Sequence, residues 1–96
     1  MGISEIVKGK RDEILHIAAK YGARNVRLFG SVAKGLATEI SDVDILVEME
    51  SGRSLLDLAA IKQDLEDLLG RQVHVVTALS LSPYMRDEVL KETVGI

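Results

Sequence analysis

Hydrophobic residues recur along the chain with two different periods, and the changes between them predict the order of its elements. Over residues 4–21 the apolar positions fall mostly on one stripe of a helix, and Gly22 is placed to end it. Residues 26–29 are a short apolar run, consistent with a buried strand that stops at Gly30. The chain therefore begins with a predicted helix and a predicted strand.

A segment of alternating character follows residues 30–41, which are rich in small and turn-forming types. In residues 42–49 successive side chains point to opposite faces of a strand. The two faces hold Val43, Ile45, Val47 and Met49 on one side, and Asp42, Asp44, Leu46 and Glu48 on the other. This pattern predicts a strand with one apolar face and one face that carries carboxylates.

The second half of the chain predicts a helix, a strand and a last helix. Ser54 is suited to cap a helix, with Asp57 in the capping-box position, and Gly70 is suited to close it. The apolar stripe of this helix is formed by Leu55, Leu58, Ile61, Leu65, Leu68 and Leu69. Residues 72–77 are a third strand, and Ser82-Pro83 opens the last helix.

These elements predict an α+β (mixed α/β) fold with the order α-β-β-α-β-α. A small three-stranded mixed sheet with its helices mainly on one face is the natural packing. Residues 1–96 are expected to form a single domain, because no repeat or linker divides them. Phe29 and Tyr84 are expected in the core.

Composition narrows the classes of function. The chain has 96 residues and a formal net charge of −3, so a broad basic surface for direct nucleic-acid binding is not expected. It has no cysteine, which excludes disulfides and thiolate metal sites. No apolar run approaches the ~20 residues of a membrane helix. We expect no membrane association and a cytoplasmic location.

Two polar features flank the turn-rich segment: Gly30-Ser31 after the first strand and Asp42-x-Asp44 at the start of the second. The two carboxylates share a strand face, with their Cα atoms roughly 6–7 Å apart, so their oxygens can converge on a hard cation such as Mg²⁺. Gly30 lets the backbone approach a phosphate, Ser31 adds a donor and Lys34 can reach a phosphate oxygen. Singly, each feature is ordinary turn chemistry or solvated charge; their joint order is much less expected by chance.

Residues 30–35 (GSVAKG) and 41–47 (SDVDILV) together resemble the signature of the DNA polymerase beta-type nucleotidyltransferase superfamily. The short chain and residues 82–90 (SPYMRDEVL) are similar to its minimal nucleotidyltransferases. The resemblance implies a nucleotidyltransferase fold in which Gly30 and Ser31 bind phosphate, together with the often basic position Lys34. It further implies that Asp42 and Asp44 are catalytic and hold Mg²⁺ with the nucleoside triphosphate.

The resemblance also implies an activity and a partner. The expected reaction moves AMP from ATP, or another nucleoside monophosphate, onto a hydroxyl and displaces pyrophosphate. Minimal nucleotidyltransferases are commonly the antitoxins of toxin–antitoxin pairs with a HEPN-domain ribonuclease, and some place AMP on tyrosines of the toxin. A heteromeric complex with a HEPN-type toxin is therefore expected.

One position departs from the pattern of the family. Active members usually carry a third carboxylate where this chain has His74. Imidazole is a poor ligand for Mg²⁺, so His74 would hold a metal less firmly. It could instead be the base that takes the proton from the attacking hydroxyl, or a partly exposed strand histidine with no role.

Three functions follow from these readings. The first is an enzyme that modifies its partner with AMP. The second is a catalytically weakened antitoxin that neutralises the toxin by forming a complex. The third is a small-molecule nucleotidyltransferase, which ranks last because 96 residues leave no room for a second domain to hold the acceptor.

Overall fold

The computed structural model of the chain describes residues 3–30 and 42–96. In chain order they form α1 (Ile3–Gly9), α2 (Arg11–Lys20), β1 (Ala23–Phe29), β2 (Val43–Met49), α3 (Leu55–Leu69), β3 (Val73–Thr77), a 3₁₀ turn (Ala78–Ser80), α4 (Pro83–Glu92) and β4 (Val94–Gly95). The α+β class is confirmed. In these residues no helix is both long and apolar enough to cross a membrane.

The sheet is mixed, with the strand order β3-β2-β1-β4. β1 pairs antiparallel with both β2 and β4, and β2 pairs parallel with β3. The prediction of three strands is wrong, because the described residues contain a fourth. This strand, β4, pairs only Val94 and Gly95 with Leu28 and Arg27. Two residues are too few to leave a period-two pattern in the sequence.

The core lies on one face of the sheet, under α1, α2 and α3. Ile45 at the centre of β2 has no exposed surface, and it belongs to one cluster with Ile14 of α2 and with Ile61 and Leu65 of α3. Together with Val43 and Val47, these residues confirm the apolar face predicted for β2. Burial of these side chains is the main source of stability for so short a chain.

The ends of α3 are fixed as the sequence predicts. The Ser54 hydroxyl accepts a hydrogen bond from the Leu56 amide, and the Asp57 carboxylate accepts one from the Ser54 amide. Gly70 closes the helix in the left-handed conformation, with φ of 68°. These contacts set where α3 ends and therefore where β3 begins.

Three local expectations are wrong. The helix predicted over residues 4–21 is two helices, because Lys10 has φ −111° and ψ 18°, outside the helical region, beside the poor helix former Gly9. Leu55 is 80% exposed, since it lies in the first turn of α3, ahead of the helix residues that reach the core. Tyr84 is 92% exposed, because α4 buries none of its residues. Phe29 is half-buried.

β1 contains a bulge beside its pairing with β2. Arg24 pairs with Glu48 and Arg27 pairs with Leu46, so three steps along β1 match two along β2. The extra residue is accommodated at Asn25, which has φ of 52°. Asparagine is among the residues that adopt this left-handed conformation most readily.

Candidate active site

The ends of three neighbouring strands bring predicted site residues together at one end of the sheet. Phe29 at the end of β1 pairs with Asp44 of β2, and Asp44 pairs with His74 of β3. Paired residues project from the same face of a sheet. Because the neighbours of Asp44 along β2, Val43 and Ile45, lie in the core, Asp44 and His74 project from the opposite face. We call this the reactive face.

His74 reaches back along the reactive face to the other carboxylate. Its Nε2 lies 3.1 Å from Oδ2 of Asp42, and both side chains are nearly half exposed. An ionised carboxylate only accepts hydrogen bonds, so we assign the proton of a neutral imidazole to Nε2. The second ring nitrogen, Nδ1, is then an acceptor. Among the described residues, this contact uses only Oδ2 of Asp42 and leaves its Oδ1 available for a ligand.

The electrostatics of Asp44 differ from those of a solvated carboxylate. Burial raises its pKa, His74 opposes that change, and the negative charge of Asp42 raises the pKa further. Two carboxylates that repel each other in a partly buried position favour a neighbouring cation. Oxygen donors of this kind fit Mg²⁺. Residues 3–30 and 42–96 contain no group of three or more His, Cys, Asp or Glu side chains that could hold a metal ion.

Gly30 has a structural role beside the carboxylates that the sequence did not reveal. Its φ is 71°, and a β-carbon at this position would overlap Oδ2 of Asp44. Only glycine therefore leaves room for the carboxylate. Ser31 and Lys34 lie outside the described residues, so their phosphate-binding roles stay predictions.

Glu66 is a second residue that sequence reasoning missed. Its carboxylate accepts hydrogen bonds from Nζ of Lys62 at 2.9 Å and from the amide of Val73 at 3.2 Å. The lysine and then the amide hold the pKa of Glu66 below its ordinary value. The i,i+4 spacing of Lys62 and Glu66 is visible in the sequence, whereas the bond to Val73, which fixes the start of β3 next to His74, is not.

A concavity formed by described residues lies at the other end of the sheet. It has a volume of about 690 Å³ and is lined by Leu55, Leu79 and Met49 among others, with no contribution from Asp42, Asp44 or His74. Volume alone would place a site there. Asp42, Asp44 and Gly30 lie elsewhere. The two carboxylates are the groups that can bind a cation.

A known protein family and curated relatives match the chain. The model of the nucleotidyltransferase domain family matches residues 11–96. The provisionally named protein adenylyltransferase MJ0435 of Methanocaldococcus jannaschii is 42% identical over 96 residues, covering 100% of this chain and 99% of the relative. Protein adenylyltransferase MntA of Thermococcus cleftensis is 43% identical over 77 residues, covering 80% of this chain and 78% of the relative.

Solved structures share the fold. One described provisionally as a minimal nucleotidyltransferase has a TM-score of 0.89 and 45% identity, and covers 100% of this chain and 97% of its own. A toxin–antitoxin complex with AMP-PNP has a TM-score of 0.75 at 22% identity, covering 88% of this chain and 69% of its own, and shows the fold alone. The chain belongs to the nucleotidyltransferase family, among its minimal members, and is a nucleotidyltransferase.

Proposed function

We propose that the chain transfers AMP from ATP, with Mg²⁺, to a tyrosine hydroxyl of a HEPN-type toxin and so acts as its antitoxin in the cytoplasm. The observation that carries the proposal is the meeting of Gly30, Asp42, Asp44 and His74 at one edge of the reactive face. The adenylyltransferase names of the relatives support AMP as the group transferred. The toxin–antitoxin complex of the same fold supports a toxin as the partner.

The reaction is one displacement at phosphorus. The phenolic oxygen of the partner attacks the α-phosphorus of ATP, the bond from that phosphorus to the bridging oxygen of the β-phosphate breaks, and pyrophosphate leaves. Mg²⁺ bound by Asp42 and Asp44 would offset negative charge on the triphosphate. Gly30 leaves room for the Asp44 carboxylate because it has no β-carbon.

His74 is suited to take the phenolic proton. Because its Nε2–H donates to Asp42, the free nitrogen is Nδ1, and the proton would arrive there. The Asp42 carboxylate would then stabilise the imidazolium, as a carboxylate does for the histidine of a serine-protease triad. This arrangement gives Asp42 two tasks, one for each oxygen.

A second function is favoured by the same contact. If the bond between His74 and Asp42 withdraws a carboxylate oxygen from the cation, catalysis is weak and the chain neutralises the toxin by binding it. A small-molecule nucleotidyltransferase stays the third alternative. These three functions predict different products: AMP on the toxin, no AMP adduct, or AMP on a small molecule.

The test is to incubate the chain with ATP, Mg²⁺ and the HEPN-type protein of the neighbouring gene, and to measure the mass of that protein. Wild type should add AMP to one of its tyrosines, and Asp42→Asn with Asp44→Asn should add none. The exposed carboxylates Asp12 and Asp87 provide the matched control, since Asp12→Asn with Asp87→Asn should leave the transfer intact.

The other outcomes separate the alternatives. Neutralisation of the toxin without any AMP adduct would establish the binding-only antitoxin. If the two proteins neither associate nor change each other's activity, the antitoxin proposal is wrong. AMP found on a small molecule in place of the protein would favour the third alternative.

A further inference from the structure

β3 is one of the two edge strands of the sheet. It has β2 on one side, and within residues 3–30 and 42–96 no strand pairs with its other side. An unpaired edge presents backbone N–H and C=O groups to any strand that approaches, including the same strand of a second copy of the chain. The opposite edge is β4, whose two residues are too few for a ladder. β3, with five residues, is the edge on which another strand could pair.

The backbone groups of β3 alternate between its two sides. The carbonyl of Gln72, directly before the strand, accepts a hydrogen bond from the amide of Val43 at 3.0 Å, so Gln72 directs its backbone groups towards β2. Successive residues of a strand direct these groups to opposite sides. The residues of β3 whose backbone groups point along the free edge are therefore Val73, Val75 and Thr77.

Side chains occupy the backbone groups at both ends of this edge. At its start, Oε2 of Glu66 accepts a hydrogen bond from the amide of Val73 at 3.2 Å. At its end, Oγ of Ser80 accepts from the amide of Thr77 at 3.2 Å and donates to the carbonyl of Thr77 at 2.7 Å. The amide of Ser80 donates in turn to Oγ1 of Thr77 at 3.3 Å, which holds the 3₁₀ turn against the strand. One serine thus occupies both backbone groups of Thr77.

Glu66 is held beside the strand by a second donor. Nζ of Lys62, one turn earlier in α3, lies 2.9 Å from the same oxygen, Oε2, and the Glu66 side chain is only 24% exposed. The lysine and then the Val73 amide hold the pKa of Glu66 below its ordinary value, so the carboxylate is ionised at neutral pH. A hydrogen bond to an ionised group is stronger than a neutral one. A strand that approached Val73 would have to replace this bond with a weaker bond to a carbonyl.

These contacts leave only the middle of the edge for an incoming strand. The groups that neither Glu66 nor Ser80 occupies are the amide of Val75 and the carbonyls of Val73 and Val75. In an antiparallel pair, strands exchange both bonds of a residue at every second position. One position with both groups open cannot continue into a ladder.

We propose that Glu66 and Ser80 close the free edge of β3 against pairing with the β3 of a second copy of the chain. A second copy is the relevant strand, because antiparallel pairing of two identical edges about a twofold axis is self-complementary. β3 also carries His74 on the reactive face. The closed edge therefore keeps another copy of the chain from lying directly beside that side chain. The proposal does not depend on AMP transfer.

The experiment compares the sedimentation equilibrium of wild type with that of Glu66→Ala with Ser80→Ala, without nucleotide. The double variant frees the amides of Val73 and Thr77, and we expect its self-association to be stronger on the order of tenfold. Hydrogen exchange locates the contact: the amide of Val75 should exchange more slowly as the concentration of the variant rises. Ser80→Ala alone opens Thr77 without changing α3. It should show a smaller increase, and it provides the test if circular dichroism shows that the double variant does not fold.

The control is Asp57→Ala with Ser82→Ala. It also removes one carboxylate and one hydroxyl that accept from backbone amides, but these amides are at the starts of α3 and α4. This control should associate as wild type does. Stronger association of the control would attribute the effect to a general loss of stability and overturn the proposal. So would a folded variant that sediments as wild type does, or association that leaves exchange of the Val75 amide unchanged.

Discussion

On the face of β2 that meets the helices, Val43 and Ile45 have no exposed surface and Val47 has almost none. On the reactive face, Leu46 is buried, Asp44 is half-buried and Glu48 is exposed. The two sets alternate along one seven-residue strand, so the backbone geometry is the same for both. The difference lies wholly in the side chains and in what covers them.

This difference separates stability from chemistry along the strand. The helix-covered face contributes by removing apolar surface from water, and its residues need only fill their volume. The reactive face holds a partly buried carboxylate whose charge the fold disfavours. Substitutions on the helix-covered face should therefore change stability, and substitutions of the polar residues on the reactive face should change activity with little loss of stability.

The largest expected effect on stability is at Ile45. Ile45→Ala leaves a cavity at a position with no exposed surface, and we expect it to lower the free energy of unfolding by about 2–5 kcal/mol. Urea denaturation measures the change. Leu55→Ala removes an aliphatic side chain that is 80% exposed and should change stability by less than about 0.5 kcal/mol. Equal losses of stability in Ile45→Ala and Leu55→Ala would mean that burial does not determine how much a side chain contributes to stability.

His74 tests the reactive face. If His74 takes the proton, His74→Ala should lower the rate of AMP transfer on the order of 10²-fold without a matching loss of stability. The control is His16→Ala, because His16 is an exposed histidine on α2. Undiminished transfer by His74→Ala, with an unchanged pH profile, would return His74 to a histidine without a role. Faster transfer by His74→Asp would identify it as a weak substitute for a carboxylate.

Gly30 links the two kinds of effect. Gly30→Ala places a β-carbon against Oδ2 of Asp44 at a positive φ, so we expect a loss of about 1–3 kcal/mol together with displacement of the carboxylate. Gly9→Ala is the matched control, since a β-carbon there meets nothing within 4 Å and alanine favours a helix. Thermal unfolding and Mg²⁺ binding report the two effects. A stable Gly30→Ala that still binds Mg²⁺ would show that the carboxylate does not need the space.

The sequence predicted most of the helix-covered face of β2 and only part of the reactive face. The apolar face of β2, the capping box at Ser54 and the close of α3 at Gly70 follow from local periodicity and local hydrogen bonds, which a sequence displays directly. The bond of Glu66 to Val73 spans the turn between α3 and β3, and the bulge at Asn25 depends on the pairing of β1 with β2. No periodicity encodes either of them. The helix-capping and strand signals are local, whereas the arrangement around a site depends on register.

The smallest expected effect is on the pH dependence of stability, and it concerns Asp44. Its pKa is raised in the folded chain, first by burial and then by Asp42, with His74 opposing. The folded state therefore holds the proton more tightly than the unfolded chain, whose aspartates have a pKa of about 3.9. The stability contributed by the protonated group is fully present below that value and is lost as the pH rises through the raised pKa of the folded state.

Asp44→Asn cannot lose this proton, so its stability relative to wild type should increase as the pH rises above about 4 and then level off. Urea denaturation of both proteins without Mg²⁺, over a series from about pH 3 to about pH 8, measures the difference. Asp87→Asn, which changes an exposed carboxylate on α4, should show no such rise. A relative stability of Asp44→Asn that falls with pH would mean that the ionised carboxylate stabilises the fold, and the two faces of β2 would then not differ as described. A rise accompanied by loss of AMP transfer would show that this carboxylate is present at a cost to stability, as residues required for chemistry often are.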